Sequence, residues 1–248
     1  MRRALTALLV AVLLAITAGP TVVTAAPLPC TVTGGTLDWG VKQDFRDYIT
    51  GPVAAGSWIE NGGATFLTDQ FRWQSASGTM TPSAGTGLVG FIGSVTFSGH
   101  AGTVTRRFAN PELQFVRPSL AYLLLDVSGV KQDGTPVYSQ GVQFVSLVLP
   151  AGALDTNSRT LEVDSVPATL TGQGAAVFGR YAAGDSFDPV SFTLRFASAC
   201  STATTVTTAS PAPSGPVPLG ALTWLVLALG VVAILVLVVL VLSRRRAS

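Results

Sequence analysis

The 248-residue sequence is poor in side chains that bind transition metals or act as nucleophiles: it has one histidine, two cysteines and two methionines. A structural zinc site needs four Cys or His ligands, which this chain cannot supply. Neither a phosphate-binding glycine loop nor a Gly-x-Ser-x-Gly elbow is present, so a hydrolase built on a Ser-His-Asp set is only weakly indicated. These absences leave aromatic side chains and hard oxygen donors as the main chemical resources.

Both ends of the chain carry signals for export and membrane attachment. Residues 1–26 combine a basic start, an apolar centre and small residues before Ala26, which is typical of a secretory signal peptide. Residues 219–242 contain no charged residue and precede three arginines at 244–246. A span of this length crosses the hydrocarbon core, and the arginines favour the cytoplasmic side. The sequence therefore predicts a single-pass cell-membrane protein with an extracellular domain and a cytoplasmic tail at 243–248.

The exported part is slightly acidic. Five of the 15 Lys and Arg residues lie in the signal peptide or beside the span, leaving 10 against all 13 Asp and Glu, a net charge of −3. This balance gives no basic surface of the kind that binds nucleic acid. Residues 201–218 are rich in Thr, Ala, Ser and Pro and are interpreted as an extended stalk.

One domain is expected over residues 30–200, with its only cysteines, Cys30 and Cys200, at its two edges. In an oxidising compartment this placement favours a disulfide that joins the ends of the domain. Two free thiols and intermolecular pairing are the alternatives. A disulfide closing so long a loop would stabilise the fold by about 4 kcal/mol or more.

The domain is expected to be mainly β, an antiparallel sandwich or barrel-like arrangement with two short helices. Asp133-Gly134 is the strongest hairpin turn. The first helix is predicted to be capped by Asp38 and ended by Gly51-Pro52, and the second lies within 174–183 and closes at Gly184. The predicted strands lie within residues 65–73, 88–97, 103–108, 120–127, 137–149 and 190–196.

Tyr48 and His100 are the candidates for iron chemistry. Tyrosine is a known ligand of ferric haem iron, and a histidine can hydrogen-bond the phenolate that this requires. Tyr48 shares the apolar stripe of the first helix with Val41 and Phe45, so a core tyrosine is the plain alternative. His100 follows a strand, where a histidine is usually a turn or surface residue.

Several separate segments resemble the HtaA-type haem-binding domain of actinobacteria. The resemblance covers roughly residues 35–196, nearly the whole exported domain. The matching segments are LDWGVKQDFRDYI (37–49), GP (51–52), GSW (56–58), VTFSGH (95–100), NP (110–111), LTG (170–172), FGRYAAG (178–184) and FDP (187–189).

This resemblance implies a mostly β domain that binds haem and has no catalytic residues. Tyr48 would be the axial ligand of the iron, and His100 would hydrogen-bond its oxygen. Phe178 or Tyr181 would pack on the porphyrin. Trp58 is a further candidate for the pocket wall, although a core position explains it equally well. The resemblance also implies a small membrane-tethered type that receives ferric haem and relays it, through other haem-binding surface proteins, toward an ABC-type permease.

The alternative function is surface adhesion or a structural role for the β domain, since a stalk at 201–218 and a membrane span at 219–242 suit such a role equally well. The two functions differ in one property, because only a haem carrier should give a saturable absorbance change when haemin is added. A secreted hydrolase is a third and weaker possibility.

Overall fold

Eleven strands and two short α-helices make up the part of the chain that the computed structural model describes, residues 28–131 and 133–200. The strands are β1 Cys30–Trp39, β2 Ser57–Asn61, β3 Thr65–Leu67, β4 Gln70–Thr81, β5 Thr86–Ile92, β6 Ser94–Gly99, β7 Val104–Arg117, β8 Leu120–Val130, β9 Pro136–Val148, β10 Thr160–Leu170 and β11 Ser186–Phe196. The helices are α1 Gln43–Thr50 and α2 Gly172–Phe178, and a 3-10 turn covers Pro82–Ala84.

The predicted signal peptide, stalk, membrane span and cytoplasmic tail lie outside the described residues. Within residues 28–131 and 133–200, no helix has the length and apolar character needed to cross a bilayer.

Eight of the strands close into an antiparallel barrel in the order β1, β11, β10, β9, β8, β7, β5, β4. The β7–β8 pairing completes the ring, so the predicted mainly-β, barrel-like fold with two short helices is confirmed for the described domain. The other three strands extend the sheet at its sides: β6 pairs with β7, β2 with β6, and β3 with β4.

A bulge in β7 allows one strand to serve both the barrel and its extension. Residues 104–109 of β7 pair with β6, whereas 112–115 pair with β5. The register shifts at Asn110-Pro111, where Asn110 adopts φ +48° and donates its backbone N–H to the Gly93 carbonyl. Proline is tolerated at such a bulge because it has no N–H to offer the ladder. This explains why the apolar run 88–97, predicted as one strand, is two strands separated at Gly93.

The barrel interior is filled by side chains, as expected for eight strands, and the bulkiest of them are aromatic rings. Trp39, Phe108 and Phe144 are fully buried, and Phe144 packs edge-on against both of the others at centroid distances of 5.9 and 5.2 Å. Burial of each large apolar side chain contributes roughly 1.5–3 kcal/mol. This aromatic core continues through Phe178 and Phe187 to the end of the barrel where α1 and α2 pack.

The helix prediction is correct in position but wrong at one end. Asp38 does not cap α1: it lies in β1, and its two carboxylate oxygens accept hydrogen bonds from Arg72 at 2.7 Å each. The helix begins at Gln43, and Gly51 ends it after Thr50, as predicted. The second helix begins earlier than predicted, at Gly172, and does not close at Gly184, because Gly179 adopts a left-handed conformation and ends it after Phe178.

Three strands escaped the sequence prediction, and one predicted strand is a hairpin. The missed strands are β1, β2 and β10, each of which carries charged, Gly or Pro residues that weaken its alternation. The run 65–73 reverses at Thr68, which has φ +57°, so that β3 pairs with β4. The Asp133-Gly134 turn is confirmed as the β8–β9 connection.

The predicted disulfide between Cys30 and Cys200 is present, with a Cα–Cα distance of 5.8 Å. It joins the first residue of β1 to the segment after β11, across a sequence separation of 170 residues. Cys200 is buried, and its backbone N–H donates to the Ser158 carbonyl. The two ends of the described domain are therefore held together covalently.

Candidate functional site

Helix α1, which carries Tyr48, is fixed to the barrel by an ion pair at its first turn. The Asp188 carboxylate on β11 accepts one hydrogen bond from the Gln43 backbone N–H at 3.1 Å and another from Arg46 Nη1 at 2.5 Å. Arg46 is 92% buried and also donates to the Gly40 carbonyl. A carboxylate at this position satisfies free N–H groups and complements the helix dipole. Asp188 thus replaces the side-chain cap that Lys42 does not provide.

The connection between β1 and α1 requires glycine and a strained residue. A Cβ on Gly40 would collide with Asp188 and Arg46, so the ion pair can form only against glycine. Val41, which is fully buried, has φ +65°, a conformation that a β-branched residue rarely adopts. The Asp188 backbone N–H donates to the Val41 carbonyl and holds it there. The surrounding contacts therefore set the angle at which α1 leaves β1.

We predict that Asp188→Ala lowers the free energy of unfolding by about 3 kcal/mol, because it leaves the buried Arg46 guanidinium without its carboxylate. Urea denaturation followed by tryptophan fluorescence measures the change. Asp164→Ala, at an exposed position on β10, is the matched control and should change stability by less than about 0.5 kcal/mol. Equal stability of the two variants would contradict the anchoring role of Asp188.

The loop after α1 holds the β6–β7 turn against the end of the helix. Gly51 ends α1, and its backbone N–H donates a hydrogen bond to the Asp47 carbonyl. The Gly56 backbone N–H donates to the Ile49 carbonyl. The backbone N–H of His100 then donates to the Ala54 carbonyl at 2.7 Å. A Cβ on Gly56 would strike the Ser98 carbonyl, so this close approach of loop and strand needs glycine.

These contacts bring together the two residues singled out from the sequence. The Tyr48 hydroxyl oxygen and the His100 Nε2 lie 2.7 Å apart, within hydrogen-bonding distance. His100 stands immediately after β6 with φ +53°, and its carbonyl accepts hydrogen bonds from the N–H and the hydroxyl of Thr103. The turn therefore fixes the backbone of the histidine, and the loop fixes its position relative to α1.

Tyr48 lies in the wall of a cavity of about 430 Å³, a size typical of small-molecule sites. The cavity is bounded by α1, β6, β7, the β8–β9 turn and the end of α2. Its apolar lining is formed by Phe45, Ile49, Phe97, Val104 and Phe178. Its polar lining is formed by Tyr48, Arg106, Lys131, Asp133 and Arg180, together with the backbone at Gly179.

Of the two candidate stacking aromatics, Phe178 lies in the cavity wall and Tyr181 packs behind it. Phe178 contacts Phe45 edge-on at 4.9 Å between centroids and is stacked on Phe108 at 5.8 Å. Tyr181 is stacked on Phe178 at 5.3 Å and is absent from the cavity lining. Burial raises the pKa of the Tyr181 phenol, which disfavours its phenolate.

Trp58, a candidate either for the pocket wall or for the core, does not line this cavity. It sits on β2 opposite Phe97 of β6, and its ring packs against Phe66, Phe71 and Phe97. It borders a second cavity of about 320 Å³ instead. Phe97 lines the first cavity, and the half-buried Trp58 packs against the Phe97 ring at a centroid distance of 6.0 Å.

Charged residues at the cavity were missed by the sequence prediction. Arg106, Lys131 and Arg180 contribute three positive charges, and Asp133 one negative charge. The Arg180 guanidinium carbon lies 4.2 Å from the centroid of the Tyr48 ring, in cation–π contact. The alternation of side chains along β7 could have indicated Arg106. It points to the same side of the strand as the buried Phe108, whereas the exposed Arg107 points to the other side.

The sequence model of the HtaA (Htaa) family matches residues 34–193, well over half of the chain. This chain belongs to the HtaA family. The matched range contains all of α1, the β6–β7 turn and α2, so Tyr48, His100 and Phe178 all lie in the HtaA-family domain. No curated protein matches the chain.

Solved structures of HtaA domains share the fold. The C-terminal domain of HtaA from Corynebacterium glutamicum is 30% identical, with a TM-score of 0.61, covering 67% of this chain and 99% of that domain. The N-terminal domain of the same protein is 28% identical, with a TM-score of 0.58, covering 68% and 99%. The heme binding protein HtaB from that organism is 21% identical, with a TM-score of 0.56, covering 68% and 97%, and shows likeness of fold alone.

Proposed function

We propose that this HtaA-family protein captures ferric haem in the cavity beside Tyr48 and carries it without chemical change. The observation that supports this proposal most strongly is that Tyr48, in the wall of an aromatic-lined cavity, has its oxygen 2.7 Å from His100 Nε2. A tyrosine that lines an apolar cavity and contacts a histidine provides what tyrosinate ligation of haem requires. The same pair inside a closed core would not provide this, because haem could not reach it.

In the proposed complex, the Tyr48 oxygen loses its proton and binds ferric iron as a phenolate. The charge of the iron favours this loss, as it does for other metal-bound oxygen ligands. His100 then donates an N–H hydrogen bond to the phenolate and adjusts how strongly that oxygen donates to the metal. Arg180 places a positive charge next to the tyrosinate ring.

The apolar wall supplies the remaining interaction surface. Phe178 presents its ring to the cavity and is held by Phe45 and Phe108, so a porphyrin plane can pack on a rigid aromatic surface. Ile49 and Phe97 add apolar contacts that exclude water from the iron–oxygen bond. Haem would thus exchange hydration for a largely preformed apolar site.

Capture and release, with no catalysis, is the proposed role of the site. A tyrosinate prefers Fe(III), so reduction of the iron or protonation of the oxygen would loosen the bond and allow transfer. We place the domain on the outer face of the cell membrane, with residues 201–218 as a stalk that gives it reach. Other haem-binding surface proteins and an ABC-type permease are the proposed donors and acceptors.

Titration of the purified protein with haemin, followed by visible absorption, tests this function. We expect a saturable one-to-one Soret change and a charge-transfer band of a tyrosinate-ligated ferric haem. A surface adhesion module, the alternative function, would give only the non-saturating absorbance of free haemin. Such a result would refute the proposal.

We predict that His100→Ala weakens haemin binding by about 10- to 100-fold and shifts the Soret and charge-transfer bands, because an outer-shell partner tunes its ligand by such amounts. Haemin titration of the variant measures both effects. Thr103→Ala is the matched control: it removes a hydroxyl that bonds the His100 carbonyl and keeps the imidazole. If Thr103→Ala reproduced the spectral shift, the shift would come from a change in the geometry of the turn and not from loss of the imidazole contact with Tyr48.

A further inference from the structure

Arg106 is a buried guanidinium in the cavity wall that lacks a full set of partners. It lies on β7 and is 92% buried. Its Nη1 makes no hydrogen bond to any described residue, although the atom is out of contact with solvent. Buried polar atoms of native proteins are nearly always hydrogen-bonded, so an exception calls for a physical reason.

The structure gives no reason for this burial within the fold. Arg106 is opposite Phe97 on β6 and Gly129 on β8, neither of which offers a charged side chain. Burial lowers the pKa of Arg106, yet a guanidinium remains positively charged at neutral pH. A positive charge held in such a place is unfavourable unless an anion joins it.

The position of Arg106 indicates which anion. It lines the same cavity as Tyr48 and Phe178, and the charges there sum to an excess of positive charge, with Asp133 as the single acid in the lining. Lys131 and Arg180 are less suited to a fixed contact, because Lys131 is only partly buried and Arg180 is exposed and already lies over the Tyr48 ring. Arg106 is the cation that is both buried and short of a partner.

We propose that Arg106 is a carboxylate-binding residue of the site and pairs with one of the two propionate groups of haem. This assignment rests on the proposed function and extends it to the part of the ligand that is recognised. An Arg–carboxylate pair forms short, directional hydrogen bonds and satisfies the free Nη1. The site would therefore select porphyrins with a free acid side chain and set the rotation of the porphyrin relative to Tyr48.

The test compares haemin with haemin dimethyl ester, which keeps the iron and the ring but has no carboxylate. Both compounds are delivered from the same detergent micelles to the purified protein. We expect the wild type to bind haemin about 10- to 100-fold more tightly than the ester, the range for a hydrogen bond to a charged group. The Arg106→Gln variant should bind both compounds with the same affinity, close to that of the wild type for the ester.

A spectroscopic readout and a control variant separate carboxylate recognition by Arg106 from a purely structural role of this residue. The Soret position of haemin-loaded Arg106→Gln should match the wild type, because Tyr48 and His100 are unchanged. Arg107→Gln, the next residue on β7 with an exposed side chain, is the matched control and should keep the full preference for the free acid.

The outcomes are distinct. A wild type that binds ester and haemin equally, or an Arg106→Gln variant that loses affinity for both in the same ratio, would overturn the carboxylate contact and leave haem binding intact. A wild type that binds neither compound would overturn the proposed function together with this inference.

Discussion

Tyr48→Ala should show no Soret band after haemin is added and the unbound pigment is removed on a desalting column. We expect affinity to fall by more than about 100-fold, since even the loss of an outer-shell partner costs 10- to 100-fold. The variant removes the only oxygen that lies in the cavity wall within hydrogen-bonding distance of His100 among the described residues. Tyr48→Phe should behave in the same way, because it keeps the ring contacts and removes only the oxygen.

Two controls make this result specific. Tyr138→Phe removes a hydroxyl from an exposed position on β9, and its haemin titration should match the wild type. Urea denaturation of Tyr48→Phe should show a stability within about 1 kcal/mol of the wild type, because Tyr48 is only partly buried. An unchanged Soret band in Tyr48→Phe would remove the ligand assignment.

The largest effect on stability should come from the disulfide. We expect the Cys30→Ser/Cys200→Ser double variant to lose about 5 kcal/mol of unfolding free energy, because the cross-link restricts the unfolded chain across a 170-residue separation. Urea denaturation of the double variant and of the wild type, with and without a reductant, measures this loss. The reductant should lower the stability of the wild type to that of the variant.

The same experiment separates the disulfide from the site. No described contact joins Cys30 or Cys200 to Tyr48 or His100, so the folded double variant should keep its haemin spectrum at low temperature. Equal stability of oxidised and reduced wild type would contradict the role assigned to the disulfide. Such a result would mean that the barrel alone restrains the ends of the domain.

Local features of the fold could be predicted from the sequence. Gly51 ends α1, Asp133-Gly134 turns between β8 and β9, and the two cysteines pair, each for reasons that depend on a few residues. The mainly-β class follows from recurring apolar alternation. A closed ring does not, because it depends on the pairing of β1 with β11, two strands at opposite ends of the domain sequence.

Contacts between distant residues account for the predictions that were wrong. Asp38 has the side chain of a helix cap, but Arg72, 34 residues away, pairs with it in the sheet. The true anchor of α1 is Asp188, 142 residues beyond Arg46, which no local pattern reveals.

The candidate site was predicted in part. The proximity of Tyr48 and His100 came from resemblance to the HtaA family, since spacing alone favoured a core tyrosine and a turn histidine. Their 2.7 Å contact depends on the loop after α1, in which the Ala54 carbonyl accepts a hydrogen bond from the His100 backbone N–H. The positive lining was missed because the acidic net charge calculated for residues 27–243 gives no sign of a local cluster around Arg106.

Determining the structure of the protein crystallised with ferric haem tests the central claim most directly. We predict that the iron is bonded to the Tyr48 oxygen, that His100 Nε2 stays within hydrogen-bonding distance of that oxygen, and that the porphyrin packs on Phe178. Iron bonded to another side chain, or haem bound away from this cavity, would contradict the account.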